Sequence, residues 1–153
     1  MASRNPVARL LRTRWAVRAP IPLFQHGLGF LLGPRMLLLE HVGRTSGEPR
    51  YAVLEVVERE DDDHLLVASG LGRRSQWFRN LAATPACHVS TGRRRRVPAE
   101  AAELPPTERD AALAGYAVRN PRAWHALEKG MQQLADERGE ALDIPLVRLS
   151  LRV

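Results

Sequence analysis

The apolar positions keep a helical period at the start of the chain, change to a strand period near residue 36 and return to a helical one after residue 105. Over residues 6–18, Val7, Leu10, Leu11 and Trp15 fall near one face with arginines around them, which predicts a basic amphipathic helix broken by Pro20 and Pro22. A second apolar stretch, Leu23 to Leu32, stops at Gly33-Pro34. Met36 to Val42 then reads as a strand, Gly43 to Gly47 as a turn, and Tyr51 to Val57, rich in β-branched residues, as a second strand. An acidic loop, Glu58 to Asp63, leads to a third strand at His64–Ser69. After the glycine-bearing loop Ser69–Gly72, Trp77, Phe78 and Leu81 recur at short helical spacing until Thr84-Pro85. Cys87–Thr91 and Arg94–Glu103 form a hairpin around Gly92. Helices are expected over Pro106–Arg119 and from Pro121 to about Arg138, each opened by proline, and Ile144–Leu151 closes the chain as a strand.

About six strands, mostly joined by hairpins, with N-terminal, inserted and C-terminal helices, predict an α+β small barrel of mostly antiparallel strands. Strict strand–helix alternation is missing, and no G-x-G-x-x-G follows a strand, so a doubly wound dinucleotide fold is excluded. The pattern reads as one domain over residues 1–153. It comprises an N-terminal helical segment (1–33), a barrel core with its inserted helix (34–103), and helices with the closing strand (104–153).

With 153 residues and 44% hydrophobic content, the chain can bury a core without covalent help. Its one cysteine, Cys87, rules out an internal disulfide and a cysteine-rich zinc site. The stretch Ile21–Leu39 is too interrupted by Pro22, Pro34 and Arg35 to span a bilayer, and residues 1–18 lack the apolar core of a leader, so a cytoplasmic location is expected. The net charge of +6 is concentrated in two blocks: residues 1–18 carry five arginines and no acid, and residues 64–99 carry seven arginines and no acid. Arg93–Arg96 would alternate faces on a hairpin, and no aromatic lies between Thr91 and Tyr116, so nucleic acid is not an expected partner. Two uses are open for the basic N-terminal helix: peripheral contact with an anionic membrane, or packing over a mouth of the barrel.

Candidate chemistry lies in two loops. The turn Gly43-Arg44-Thr45-Ser46-Gly47 can converge backbone N–H groups, two hydroxyls and the forks of Arg44 and Arg50 on one anion, or be simply a polar hairpin turn. The segment Ala68 to Leu81 joins a strand end, a flexible loop and a helix start, where a planar ligand could lie; there Trp77 could cover the ligand or only fill the core, and Arg73 or Arg74 could reach an acidic tail.

Taken in order, Leu38-Leu39-Glu40-His41-Val42-Gly43-Arg44-Thr45-Ser46-Gly47-Glu48-Pro49-Arg50, Val67-Ala68-Ser69 and Trp77-Phe78-Arg79-Asn80-Leu81-Ala82-Ala83-Thr84-Pro85 resemble the deazaflavin-dependent nitroreductase family. The ending Asp143-Ile144-Pro145-Leu146-Val147 is similar to that family's last strand. The resemblance implies a split β-barrel that binds coenzyme F420, a deazaflavin with a phosphodiester and an oligoglutamate tail. It implies that Arg44, Thr45, Ser46 and Arg50 hold the anionic tail, and that alternate residues of Tyr51–Glu55, Tyr51 and Val53 among them, line the ring side. Ala68, Ser69 and Gly70 would contact the ring system through backbone and hydroxyl, and Gln76, Trp77 and Asn80 would close it from the inserted helix.

The chain departs from the family in three places. Arg73 or Arg74 stands where members often carry a loop lysine, Phe78 replaces a commoner tyrosine, and the stretch Asn120–His125 has no tyrosine, leaving Tyr116, Trp124 or His125 for that place. The expected activity is hydride transfer from reduced F420 to a small electrophile (a quinone, enone or nitro compound), with no metal, no assigned catalytic side chain and a homodimeric state. FMN binding on the same fold and a non-enzymatic carrier of a lipophilic ligand are the alternatives.

Overall fold

The computed structural model describes residues 21, 25–26, 35–69, 72–139 and 143–152. The helix expected over residues 6–18, most of the apolar stretch after it, and Gly70 lie outside the described residues. Six strands form the sheet: β1 (Met36–Val42), β2 (Pro49–Asp61), β3 (His64–Ala68), β4 (Ala86–Thr91), β5 (Arg94–Glu103) and β6 (Leu146–Leu151). The helices are α1 (Gln76–Ala83), α2 (Pro106–Arg119) and α3 (Pro121–Arg138), with a single 3-10 turn at Gly72–Arg74. The strands close a barrel in the order β1-β2-β3-β6-β5-β4, every neighbouring pair antiparallel.

The proline-started helices take the bounds their sequence predicts, because proline supplies the fixed φ of a first helical residue and needs no N–H partner there. The acidic stretch after Val57 departs from expectation. It stays in the sheet as far as Asp61, with register shifts between Val56 and Glu58 and between Arg59 and Asp61 absorbing the irregularity. Arg148 of β6 binds Glu60 through two bonds of 2.6 and 3.0 Å, which ties this charged stretch to the barrel wall. Only Asp62 and Asp63 turn, and Asp61 caps that turn by accepting from the Asp63 N–H at 2.8 Å.

Inside the barrel, Leu37 and Leu39 meet Val56, Leu65, Val67, Val89, Val147 and Leu149. Outside it, Val57, Leu66, Leu104, Ile144 and Leu146 pack under Ala112 and Tyr116 of α2, with Trp124 of α3 alongside. β3 is thus buried on both faces, which explains an uninterrupted Leu65-Leu66-Val67 where an antiparallel strand with one wet face would alternate. α1 covers the end of the barrel where β1 finishes and β2 begins: Leu81 belongs to the interior cluster, and Trp77 and Phe78 rest against it.

A buried polar contact helps pin the outer helix layer. The hydroxyl of Tyr116, 1% exposed, donates to Glu55 Oε1 at 2.7 Å, and Arg35 donates to the same oxygen at 3.2 Å. Burial first, then the neighbouring Glu55, pushes the Tyr116 phenol up to about 12, so it remains a donor throughout the working range of pH. Tyr116→Phe should lower stability by about 1–2 kcal/mol, since Glu55 keeps Arg35 as a partner, and urea unfolding followed by circular dichroism measures it. A variant as stable as the parent would show that packing alone holds α2.

Candidate functional site

The turn between β1 and β2 is closed by its own backbone: the Gly43 N–H donates to the Glu48 carbonyl and the Gly47 N–H to the Gly43 carbonyl, each at 2.8 Å. Gly47 has φ +73°, a left-handed conformation that a side chain would strain. A Cβ at Gly43 would sit 2.7 Å from Ser46 Oγ, so the Ser46 hydroxyl would have to move to admit one. Arg44, Thr45, Ser46 and Arg50 all lie exposed on this loop and the start of β2, and Arg50 reaches Ser46 Oγ at 3.5 Å.

What fixes the loop against the barrel is α1. Asn80 is 3% exposed, and its Oδ1 accepts from the Arg44 backbone N–H at 3.1 Å and from Arg44 Nη1 at 2.8 Å. Arg44 Nη2 donates to Gln76 Oε1, one helical turn earlier, at 2.9 Å. With its carbonyl so committed, the amide nitrogen of Asn80 must be the donor to His41 Nδ1, 3.0 Å away. His41 sits in the inward row of β1 with Leu37 and Leu39, and burial, followed by the field of Arg50, lowers its pKa to about 4. The imidazole is neutral at pH 7 and carries its proton on Nε2. The structure therefore joins three of the residues expected at the site, Arg44, Gln76 and Asn80, into one network, with His41 as its inner end.

The remaining site residues divide by face. Pairing of Leu39 with Ala52 and Leu37 with Leu54 turns Ala52 and Leu54 inward, so Tyr51, Val53 and Glu55 share the outer face of β2. Tyr51 donates to Glu40 Oε1 at 3.2 Å. Ala68 packs with the outer cluster. Ser69 differs from expectation: it is fully buried, its hydroxyl donates to the Gly72 carbonyl at 2.6 Å and its N–H to the Pro145 carbonyl at 2.9 Å, so its side chain closes the loop instead of facing a ligand. Trp77 is half-buried against the interior cluster, edge-on to Phe78 at 6.2 Å. Arg73 also differs, being held by Asp143 at 2.7 Å and by Glu103, with its guanidinium 5.8 Å from the centre of the Phe78 ring.

One cluster escaped the sequence. Glu40 on the outer face of β1 binds His88 Nδ1 and Arg96 Nε, both at 3.0 Å, besides Tyr51. Arg96 adopts φ +45° at a bulge of β5 where its N–H donates to Ser90 Oγ at 2.9 Å. Only the strand register brings these residues together, so no local spacing announces them. The arginine run that Arg96 belongs to is engaged with protein groups: Arg94 bonds the Asp62 carbonyl and Asp63, and Arg95 bonds the Gln25 carbonyl.

The depressed His41 pKa has a consequence for stability. A histidine whose folded value lies below its ordinary 6.5 contributes in full above pH 6.5, and the contribution is lost as pH falls toward 4. Full loss corresponds to about 3 kcal/mol at 1.36 kcal/mol per unit. His41→Gln, which can still accept from Asn80, should therefore lose less stability than the parent between pH 7 and pH 4.5 in urea titrations. Parallel losses in the two proteins would mean that His41 does not govern this acid limb.

Residues 25–133 match the family model described as F420-H2-dependent quinone reductase. The chain is 40% identical over 73 residues to a Mycobacterium tuberculosis protein provisionally named as such a reductase; the match takes in 46% of this chain and 60% of that protein, less than two thirds of its length. A solved structure described as a domain-swapped dimer superposes with a TM-score of 0.58 at 19% identity, covering 87% of this chain and 95% of that one. An F420-H2-dependent reductase superposes with a TM-score of 0.51 at 20% identity, covering 76% and 94%. At these identities the structural likeness establishes the fold, the split barrel expected from the sequence. The quinone in the family's name is one of the three acceptors expected from the resemblance, and the deazaflavin is common to both. By the match across most of its length, the chain belongs to the F420-H2-dependent quinone reductase family, a family of enzymes with coenzyme F420 as cofactor.

Proposed function

We propose that the protein is a reductase that uses reduced coenzyme F420 to reduce a small organic electrophile, a quinone first among quinones, enones and nitro compounds. The observation that carries the reading is the lock between Arg44 and α1, through Asn80 and Gln76, which fixes an exposed arginine-and-hydroxyl turn beside the outer face of β2. The donor set suits the cofactor's acidic part: two planar guanidinium forks and two hydroxyls on one loop match a phosphodiester and carboxylates.

In this reading Arg44, Thr45, Ser46 and Arg50 hold the tail, and Tyr51 and Val53 with the backbone near Ala68 and Gly70 flank the ring. Gln76 and Asn80 act by positioning Arg44, and Trp77 shields the site from water from its seat on the barrel core. When bound, the deazaflavin supplies the hydride, and the chain's task is to orient it, exclude water and place the acceptor. Tyr116 and Glu55 stand at the end of the same outer row as Tyr51 and Val53, with the phenolic proton held on Tyr116 Oη and directed at the carboxylate. A homodimer belongs to the same reading, and light scattering measures it. Among the described residues no helix is long and apolar enough to cross a membrane.

Fluorescence titration of the purified protein with F420 and, separately, with FMN tests the proposal; F420 should bind and FMN should bind far more weakly. Arg50→Ala and Arg44→Ala should each weaken F420 binding by about 1.5–3 kcal/mol, the contribution of a hydrogen bond to a charged group, which is roughly 10- to 150-fold in Kd. Arg50→Ala is the cleaner variant, because Arg44 also anchors α1. If both variants bind F420 as the parent does, the turn is not the anion site.

A further inference from the structure

The seam between β1 and β4 is zipped for only three residue pairs, the last of them Glu40 with His88. Beyond that pair β1 runs on as His41 and Val42 while β4 begins with Ala86 and Cys87, and these four residues do not pair across the seam. The gap opens a cleft of about 400 Å³ at the barrel end, walled by Val42, Ala86, Cys87 and Pro98, with Arg96 at its side. His41 also lines it, although only 4% of that residue is exposed. Asn80 occupies Nδ1 of the imidazole, so the ring proton is on Nε2, and among the described residues nothing accepts it. That nitrogen is not sealed away, since the one buried side-chain polar atom without a partner among the described residues is Ser75 Oγ. A donor held in place by a second buried side chain, unmatched among the described residues and carried by a residue that lines a largely apolar cleft, is the arrangement of a ligand site.

We infer that this cleft binds a flat, apolar small molecule carrying a carbonyl or carboxylate oxygen. That oxygen accepts from His41 Nε2–H, and the body of the molecule lies between Val42 and the wall made by Ala86 and Cys87. Arg96 and Arg152, which also line the cleft, are bonded to Glu40 and Glu100, so recognition rests on the His41 donor and the apolar walls more than on net charge. The cleft borders the anion turn through Gly47 and Pro49, but neither Arg44 nor Arg50 lines it, and the inference does not rest on the F420 reading.

The full-length protein would be titrated by calorimetry at pH 7 with 2-acetylnaphthalene, 2-naphthoate and 2-ethylnaphthalene, which share a body and differ in the oxygen. At least one oxygen-bearing probe should bind about tenfold or more tighter than the hydrocarbon, as a net hydrogen bond requires, and the comparison of ketone with carboxylate identifies the source of the oxygen. The Nε2–H proton resonance of His41 should shift on addition of that probe, and His41→Phe should abolish the tenfold preference. Ala86→Phe fills the cleft from its exposed wall without touching His41 or Asn80. It should remove probe binding while leaving the melting temperature and the F420 titration unchanged, so failure here is separable from failure of the cofactor reading. Equal affinity for all three probes, or unaltered binding in Ala86→Phe, would overturn the inference.

Discussion

The side-chain amide of Asn80 is the point on which the site's geometry depends. It is buried, and three of its hydrogen-bonding positions are used by three different contacts: the Arg44 backbone, the Arg44 guanidinium and the His41 ring. Each of those partners belongs to the β1–β2 hairpin, while Asn80 belongs to a helix that follows β3. The amide therefore reports whether two segments distant in sequence have docked correctly. Rotating it by half a turn would set its N–H₂ against the two Arg44 donors and its carbonyl against the unprotonated Nδ1 of His41, leaving buried polar groups unsatisfied at about 1–3 kcal/mol each. A fixed amide in turn dictates which nitrogen of His41 holds the proton, so a choice of tautomer follows from a choice of backbone turn.

Around that point, the barrel divides its labour by face. The inward rows are mostly aliphatic, with His41 of β1 and Cys87 of β4 as exceptions, and supply the stability. The outer faces carry the polar groups, and they differ from one strand to the next: the outer row of β2 presents Tyr51, Val53 and Glu55, whereas β3 is covered by α2 and has no wet side. Function has room only where helices do not cover the wall or where strands fail to pair. Arg73, Arg94, Arg96 and Arg148 all engage acids.

Much of this was legible in the sequence, and the parts that were not have a common cause. Pro106 and Pro121 announced both long helices to the residue, because proline acts on its own neighbours and needs no tertiary contact. The strands at Met36–Val42 and from His64 onward are readable from pattern alone, while the burial of Leu65 to Val67 on both faces is seen only in the structure. The ordered motifs from Gly43 to Pro85 carried the family. The acidic end of β2 was read as a loop because its charges are matched by Arg148, ninety positions away in round terms, and no local rule sees that partner. Ser69 was given to a ligand because a serine beside a glycine-bearing loop looks available, when its hydroxyl bonds the Gly72 carbonyl three residues on. Arg73 or Arg74 could reach an acidic tail by the same local reasoning, and of the two Arg73 is held by Asp143 and Glu103. The Glu40 cluster exists only through the register of three strands and a residue at positive φ, and neither is written in composition or spacing.

The place of β6 in the ring has a consequence for how the chain reaches this state. β6 lies between β3 and β5, and Ala68 of β3 pairs with Leu146, seventy-eight positions later. At ordinary rates of synthesis, about 5–20 residues per second, β3 waits roughly 4–16 s after it is made before its second neighbour exists. Throughout that wait an edge reading Leu-Leu-Val is open on a strand whose two faces are both apolar, the type of edge that pairs readily with another chain. The newborn protein is therefore most exposed to misassembly after its hairpins have formed and before its last strand arrives. A holdase that shields β3 would raise the yield of folded barrel more than one acting on any other strand.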